Sequence, residues 1–552
     1  MSVPEPRRWL AEPRPGRGIR LAHNDGGWDF REYTEVAGLA RRVASALTAD
    51  GVRPGDVVCI LMPTGFPCLA AFFGAWVAGA TPCLIAPPAF TSADQYTSAV
   101  AAIMRQAAPA LTVTSAKLAG TAAAALAAAG RDERPWLWRE DPVPAEPAAV
   151  APDDVALLQF TSGSTGSPRG VQVSWANLAA NLAAIRGWLD WRDGDVATSW
   201  LPLFHDMGLV GALLTSVTCQ LDLWLMQPAQ FIRDPGRWLE CMTFSAFTVA
   251  PSFAFGYAAR RVGAERLARL DLSGCRRVMV GAEPVDPVTL ENFARLTGFP
   301  RSAFVPAYGM AEATLGVTAV TDGRAPRMVR PDPATLRLGL RVRMRAASRL
   351  GEPDVTSGGW LVSCGRAPDG VRVSVLDAAG RALPPGHLGE IAVRGPSVTS
   401  GYYAGRTGTS TRFADGELRT GDAGFLHDGE LFVLGRMGDS LKLRGRSVFV
   451  EDLESAVAGV DGLSRQRCAV VSMAGAGRAG VVLFAETPAG DWMNQARDVL
   501  RGCLDEDAEI RVVTGRPGLI KRTTSGKPRR REMWELFRTG QLNELATAAE
   551  HT

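Results

Sequence analysis

Apolar and polar positions along this chain follow two alternating rhythms. Residues 31–51 (REYTEVAGLARRVASALTADG) repeat apolar side chains at helical spacing and stop at Gly51, whereas 56–63 (DVVCILMP) is a continuous apolar run of strand length. The pair recurs as CLAAFFGAWVAGA from Cys68 and CLIA from Cys83. Cys68 to Pro87 is long and apolar enough to suggest a membrane span. Gly79 and Pro82 interrupt it, so a helix followed by a buried strand is expected. This repetition predicts parallel strands in a layered sheet. Ala-rich 119–130 predicts a helix, and 131–153 a Pro-rich connector. From about 371, short strand patterns dominate (VRVSVLD, EIAVRG, ELFVLG); after Gly435 a mixed pattern returns, which suggests a small C-terminal domain.

Composition narrows the class. A chain of 552 residues exceeds the size at which one core stops growing, so two or more domains are expected. A net charge of +3 gives no bulk attraction to nucleic acid or to a membrane. The 9 cysteines form no C-x-x-C pair, which points to reduced thiols in the cytoplasm, and the N-terminus has no apolar signal core.

The strongest local feature is VALLQFTSGSTGSPRGVQV (155–173), two apolar segments flanking Thr161, Ser162, Gly163, Ser164, Thr165, Gly166, Ser167, Pro168 and Arg169. Glycines let backbone N–H groups turn inward and hydroxyls add donors, an arrangement suited to a polyphosphate. It is neither a Walker A loop nor a nucleophile elbow.

This loop resembles the phosphate loop of the adenylate-forming superfamily, which includes acyl-CoA synthetases, adenylation domains, luciferases and fatty acyl-AMP ligases. Other segments follow in that family's order: LPLFHDMGLVG (201–211), GAEPV (281–285), PAYGMAEATLG (306–316), ELRTGDAGFL (417–426), GRMGDSLKLRGRSV (435–448) and TTSGKPRRR (523–531). HDMGLVG and YGMAEATL are most similar to fatty acyl-AMP ligases, as is the Arg-rich stretch at about 321–360, which resembles those ligases' insertion.

The resemblance implies an α/β fold: a large N-terminal region (1–435) of two α/β subdomains plus a β-rich lobe, with a small mobile α+β C-terminal domain (436–552). It implies ATP and Mg²⁺, a fatty or other apolar acid, and an acyl carrier protein acting in trans. Loop residues Thr161 to Gly166 and Arg169 would hold the phosphates. Gly281, Ala282 and Glu283, with Tyr308, Gly309 and Met310, would line the nucleotide site. Asp422 and Arg436 would hold the ribose, and Glu312 with Thr161 would hold the metal. Lys527 would bridge the attacking carboxylate and the α-phosphate, and His205 would gate the acyl pocket or pack against the bound carboxylate, without acid–base duty.

Three departures stand out: Arg169 where Lys is common, Trp175 where His is common, and Gly438 at the hinge where Asp or Lys is usual. The Arg-rich segment 324–349 could dock an acidic carrier or be a solvated face. Two rivals remain open, an acyl- or aryl-CoA synthetase and a catalytically silent nucleotide-binding protein.

Overall fold

A computed structural model describes residues 6–88, 93–161, 168–352, 359–405, 411–414, 416–437, 440–443, 446–464, 466–473, 480–504, 508–523, 526–542 and 545–550. The two opening rhythms form the expected elements. Helix Tyr33–Ala49 ends ahead of Gly51, whose φ of 96° supplies the left-handed turn that stops it. The tempting apolar stretch resolves into helix Phe66–Val77, with Phe72, Phe73 and Trp76 buried, and strand Thr81–Leu84. Among the described residues, no helix is long and apolar enough to cross a membrane.

Two sheets build the α/β part. One has four parallel strands, ordered Thr81–Leu84, Val57–Leu61, Leu111–Thr114 and Trp136–Leu137. Its last strand lies inside the segment read as a plain connector: two residues suffice to pair there. The other has eight strands. Its parallel centre runs Phe304–Gly309, Arg277–Val280, Phe247–Ala250, Val196–Ser199, Asp222–Leu225 and Gly18–Ala22, with antiparallel strands Gly316–Ala319 and Trp28–Glu32 at the edges. A large core of aliphatic and aromatic side chains lies between these sheets and their helices, and a second packs the other face of the four-stranded sheet against helices Ala93–Ala107 and Ala119–Ala128.

The β-rich lobe is an antiparallel sheet of Arg372–Leu376, Gly389–Arg394, Glu417–His427, Arg412–Ala414 and Glu430–Arg436. Beside it stands a separate three-stranded sheet of Arg327–Pro331, Met344–Arg349 and Leu361–Val362, built from the Arg-rich stretch. Most of its arginines are engaged internally. Arg343 and Arg345 both pair with buried Asp332, Arg327 with Asp428 and Arg349 with Asp322, while Arg330 lies 4.9 Å from the Trp360 ring centroid. These pairs offset part of the positive charge of the segment.

The C-terminal part has its own sheet, Cys468–Ser472, Gly480–Ala485, Glu509–Gly515 and Ala546–Glu550, and its own cores on either side of it. A buried ion cluster ties its last helix down: Arg530 reaches Glu451 at 3.3 Å and Glu454 at 2.9 Å. The hinge residue Gly438 lies outside the described residues.

Candidate active site

The motif residues converge because consecutive parallel strands end on one side of the large sheet, where α/β folds place their ligand crevices. His205 follows Val196–Ser199, Ser252 follows Phe247–Ala250, Gly281 to Glu283 follow Arg277–Val280, and Tyr308 and Gly309 end Phe304–Gly309. Ala282 takes a φ of +66°, an uncommon conformation for a residue with a Cβ. Glu283 Oε1 accepts from the Phe253 N–H at 2.8 Å, so this carboxylate caps the helix Ser252–Arg261. Gly309 is required by close approach: a Cβ there would lie 1.9 Å from the Leu315 carbonyl oxygen. Met310 is buried beside it and donates its N–H to that same carbonyl at 2.8 Å.

Thr161 and Arg169 face each other across the hairpin Val155–Thr161/Arg169–Ser174. Ser162, Gly163, Ser164, Thr165 and Gly166 lie outside the described residues. Arg169 is buried, with its guanidinium 5.5 Å from the Tyr402 ring centroid.

Glu312 sits in a buried 3₁₀ turn, Ala311–Ala313, and its Oε1 accepts from the Tyr402 hydroxyl at 2.6 Å. Its second oxygen has no hydrogen-bond partner among the described residues.

Asp422 and Arg436 are register partners on neighbouring antiparallel strands. Neither lies in a turn: Thr-Gly-Asp, which alone reads as a turn, is inside strand Glu417–His427, and Arg436 is the last residue of its own strand rather than the one after it. Asp422 accepts from Arg436 Nε at 2.8 Å and from the Tyr308 hydroxyl at 2.6 Å. Burial and the adjacent Asp422 charge push the Tyr308 phenol well above its ordinary value, so it remains a donor. Arg436 also donates to the Thr420 carbonyl at 3.0 Å, which fixes its plane.

His205 Nδ1 lies 2.8 Å from Asp206 Oδ1, and the Met207 N–H donates to that carboxylate oxygen at 2.7 Å. The chain then enters a fully buried π-helical stretch, Met207–Leu214, a form enriched at functional sites. Burial alone would raise the Asp206 carboxyl, but His205, Lys527 and the Met207 N–H outweigh it and hold the group below the ordinary carboxylate range. Lys527, on the loop of the small domain, is thus among the positive charges that favour the ionised Asp206. Its loop is braced from within: Lys527 N–H donates to Thr523 Oγ1 at 3.1 Å and Arg522 Nη1 donates to the Gly526 carbonyl at 2.9 Å. Arg260 of the large domain reaches Gln466 of the small one at 3.3 Å.

Two residues of this site escaped the sequence reading. Asp206 was visible inside HDMG, next to the histidine that drew attention. Tyr402, in SGYYAG, carried no sequence signal that separates it from its neighbour Tyr403. Trp175 is not in the site: it is buried, 4.8 Å from Trp76 in an edge-on contact, with the Arg7 guanidinium 4.9 Å from its ring centroid.

The Asp422–Arg436 carboxylate–guanidinium pair, the Glu312–Tyr402 pair and the strand ends that carry Gly281 and Tyr308 lie in motifs shared with nucleotide-dependent activating enzymes. The chain belongs to the AMP-binding enzyme family, whose profile matches residues 16–403. It is similar to the long-chain-fatty-acid--AMP ligase FadD26 of Mycobacterium marinum, at 32% identity over 93% of this chain and 92% of that one. It is likewise 32% identical, over 99% of both chains, to a Mycobacterium tuberculosis relative that carries a fatty-acid--CoA ligase name, fadD25. A solved structure from studies of fatty acyl-adenylate ligases of E. coli and L. pneumophila matches with a TM-score of 0.86 and 27% identity, covering 98% of this chain and 99% of that one.

Proposed function

We propose that this protein activates a fatty or other apolar carboxylic acid with ATP, forming acyl-AMP and pyrophosphate. It then passes the acyl group to the phosphopantetheine thiol of a carrier protein acting in trans in the cytoplasm. The observation that carries this reading is the Asp422 carboxylate held between Arg436 Nε at 2.8 Å and the Tyr308 hydroxyl at 2.6 Å, an acceptor suited to the ribose hydroxyls of a nucleotide.

In this account a carboxylate oxygen of the acid attacks the α-phosphorus of ATP as the bond to pyrophosphate breaks. The acid arrives ionised, so no base is needed; orientation and charge neutralisation carry the rate. Asp422 accepts from the ribose hydroxyls while Arg436 and Tyr308 hold it in place. Thr161 and Arg169 flank the phosphates, and Gly281, Ala282, Glu283, Gly309 and Met310 form the nucleotide wall. Lys527 neutralises charge shared between the attacking carboxylate and the α-phosphate. His205, hydrogen-bonded to Asp206, borders the entering acid.

The residues also fit Mg²⁺. Glu312 offers one oxygen fixed by Tyr402 and one without a partner among the described residues. Those residues contain no cluster of three or more His, Cys, Asp or Glu able to hold a metal alone. Mg²⁺ is commonly held by one or two carboxylates together with substrate phosphates, and Glu312 and Thr161 would be the protein's contribution. Bound there, Mg²⁺ would neutralise phosphate charge.

We place the division between the ATP- and acyl-binding domain (1–435) and the lysine-bearing domain (436–552) at Arg436, and treat 321–360 as an insertion that disfavours CoA. The CoA ligase name of one relative keeps acyl-CoA synthesis as the second reading. Pyrophosphate release with ATP, Mg²⁺ and a panel of fatty, aryl and amino acids tests the first half-reaction; release with none of them would refute it.

A further inference from the structure

We propose that Tyr402 is a positioning residue for Glu312, and that the strap 396–402 couples this carboxylate to the phosphate-loop hairpin. The proposal rests on the reading that ATP and a divalent cation bind beside Glu312.

The strap is fastened on both sides. Toward Glu312, the Thr399 N–H donates to the Glu312 carbonyl at 3.0 Å and Thr314 Oγ1 donates to the Ser397 carbonyl at 2.8 Å. Thr314 has a φ of +68°, an outlier for a β-branched residue, so this bond holds a strained turn two residues from the carboxylate. Toward the hairpin, the Gln172 N–H donates to the Gly401 carbonyl at 3.2 Å and Tyr402 bridges Val171. Asn177 donates to the carbonyls of Pro396 and Val398 at 2.8 and 3.0 Å. The Tyr402 ring is therefore fixed between Arg169 and Glu312, with Phe413 edge-on at 5.6 Å.

Tyr402 and Glu312 are 4% and 7% exposed, so solvent competes little for the bond between them. A phenol donates one proton and binds one carboxylate oxygen. That bond selects the Glu312 rotamer and turns the second oxygen, without a partner among the described residues, toward a cation.

Tyr402→Phe keeps the ring and removes the proton. Titration of Mn²⁺ into the protein loaded with a non-hydrolysable ATP analogue, followed by electron paramagnetic resonance, should show roughly tenfold weaker cation binding. The Mg²⁺ needed for half-maximal pyrophosphate release should rise by a similar factor, with the KM for acid unchanged. In a Glu312→Gln background, Tyr402→Phe should no longer alter Mn²⁺ affinity. Equal Mn²⁺ affinity of wild type and Tyr402→Phe would overturn the proposal, as would an undiminished effect in the Glu312→Gln background. Absence of pyrophosphate release from the wild type would instead refute the proposed activity, and the Mn²⁺ titration would still decide the role of Tyr402.

Discussion

Asp422→Asn tests ribose recognition at the point where two donors, Arg436 and Tyr308, meet one carboxylate. The wild-type side chain accepts from Arg436 Nε at 2.8 Å and Tyr308 Oη at 2.6 Å, leaving remaining lone pairs for the sugar hydroxyls. Asparagine keeps the shape but has one acceptor oxygen. Arg436 has only donors, so that oxygen must face it, and the amide N–H₂ is left toward Tyr308 and the ribose. Hydrogen bonds to charged groups contribute about 1.5–3 kcal/mol each. Losing one at the sugar should lower kcat/KM for ATP by roughly 10- to 150-fold. Arg436 is 37% exposed and can recruit water, so the melting temperature should fall by only a few degrees. The decisive assay compares ATP with 2′-deoxy-ATP in pyrophosphate release. Wild type should discriminate against the deoxy nucleotide, and the variant should discriminate far less, because the group that reads the hydroxyl is gone. Equal discrimination by both would refute the assignment and leave Asp422 as an internal brace for Arg436.

Lys527→Ala should slow adenylation by roughly 10²–10³-fold, as expected for one lost charge-stabilising donor, while its exposed position leaves the urea midpoint unchanged. Asp206 is ionised more readily in the folded chain than when unfolded. Its contribution to stability is thus fully present above pH about 4 and is lost as pH falls through its lower folded value. Urea midpoints of Asp206→Asn and wild type should differ by a constant amount above about pH 5 and converge at lower pH; a gap that widens with acid would contradict this. Gly309→Ala forces a Cβ onto the Leu315 carbonyl and should cost more than about 2 kcal/mol by chemical denaturation. Trp175→His, which restores the residue common in the family, should destabilise by about 3 kcal/mol rather than raise activity, because Trp175 fills the core against Trp76.

Much of this site is legible in the sequence because short motifs encode backbone geometry. The parallel strands could be read from unbroken apolar runs, and each motif begins where such a run ends, which is why His205, Gly281 and Tyr308 meet at one edge. Contacts made over long sequence separations are less visible. Tyr402 reaches Glu312 from 90 positions away, and nothing in SGYYAG announces it. T-G-D taken alone has the composition of a turn, whereas here the motif runs within strand Glu417–His427, with Gly421 at a φ of +73°. The Arg-rich stretch is a different case. Its arginines pair with Asp322 and Asp332 inside the stretch and with Asp428, 101 positions from Arg327, and only the last of these pairings is hidden by sequence distance. Trp175 reads as an altered pocket residue because a motif comparison carries no information about the Trp76 side chain packed against it.

The most direct test of the central claim is a two-stage reaction followed by mass spectrometry. The protein is given ATP, Mg²⁺ and a series of fatty acids, and the products are divided between CoA and a phosphopantetheinylated carrier protein. The account predicts fatty acyl-AMP with stoichiometric pyrophosphate, then acyl-carrier thioester with little acyl-CoA. Efficient acyl-CoA formation would contradict the carrier assignment, and the absence of any acyl-AMP would contradict the activity itself.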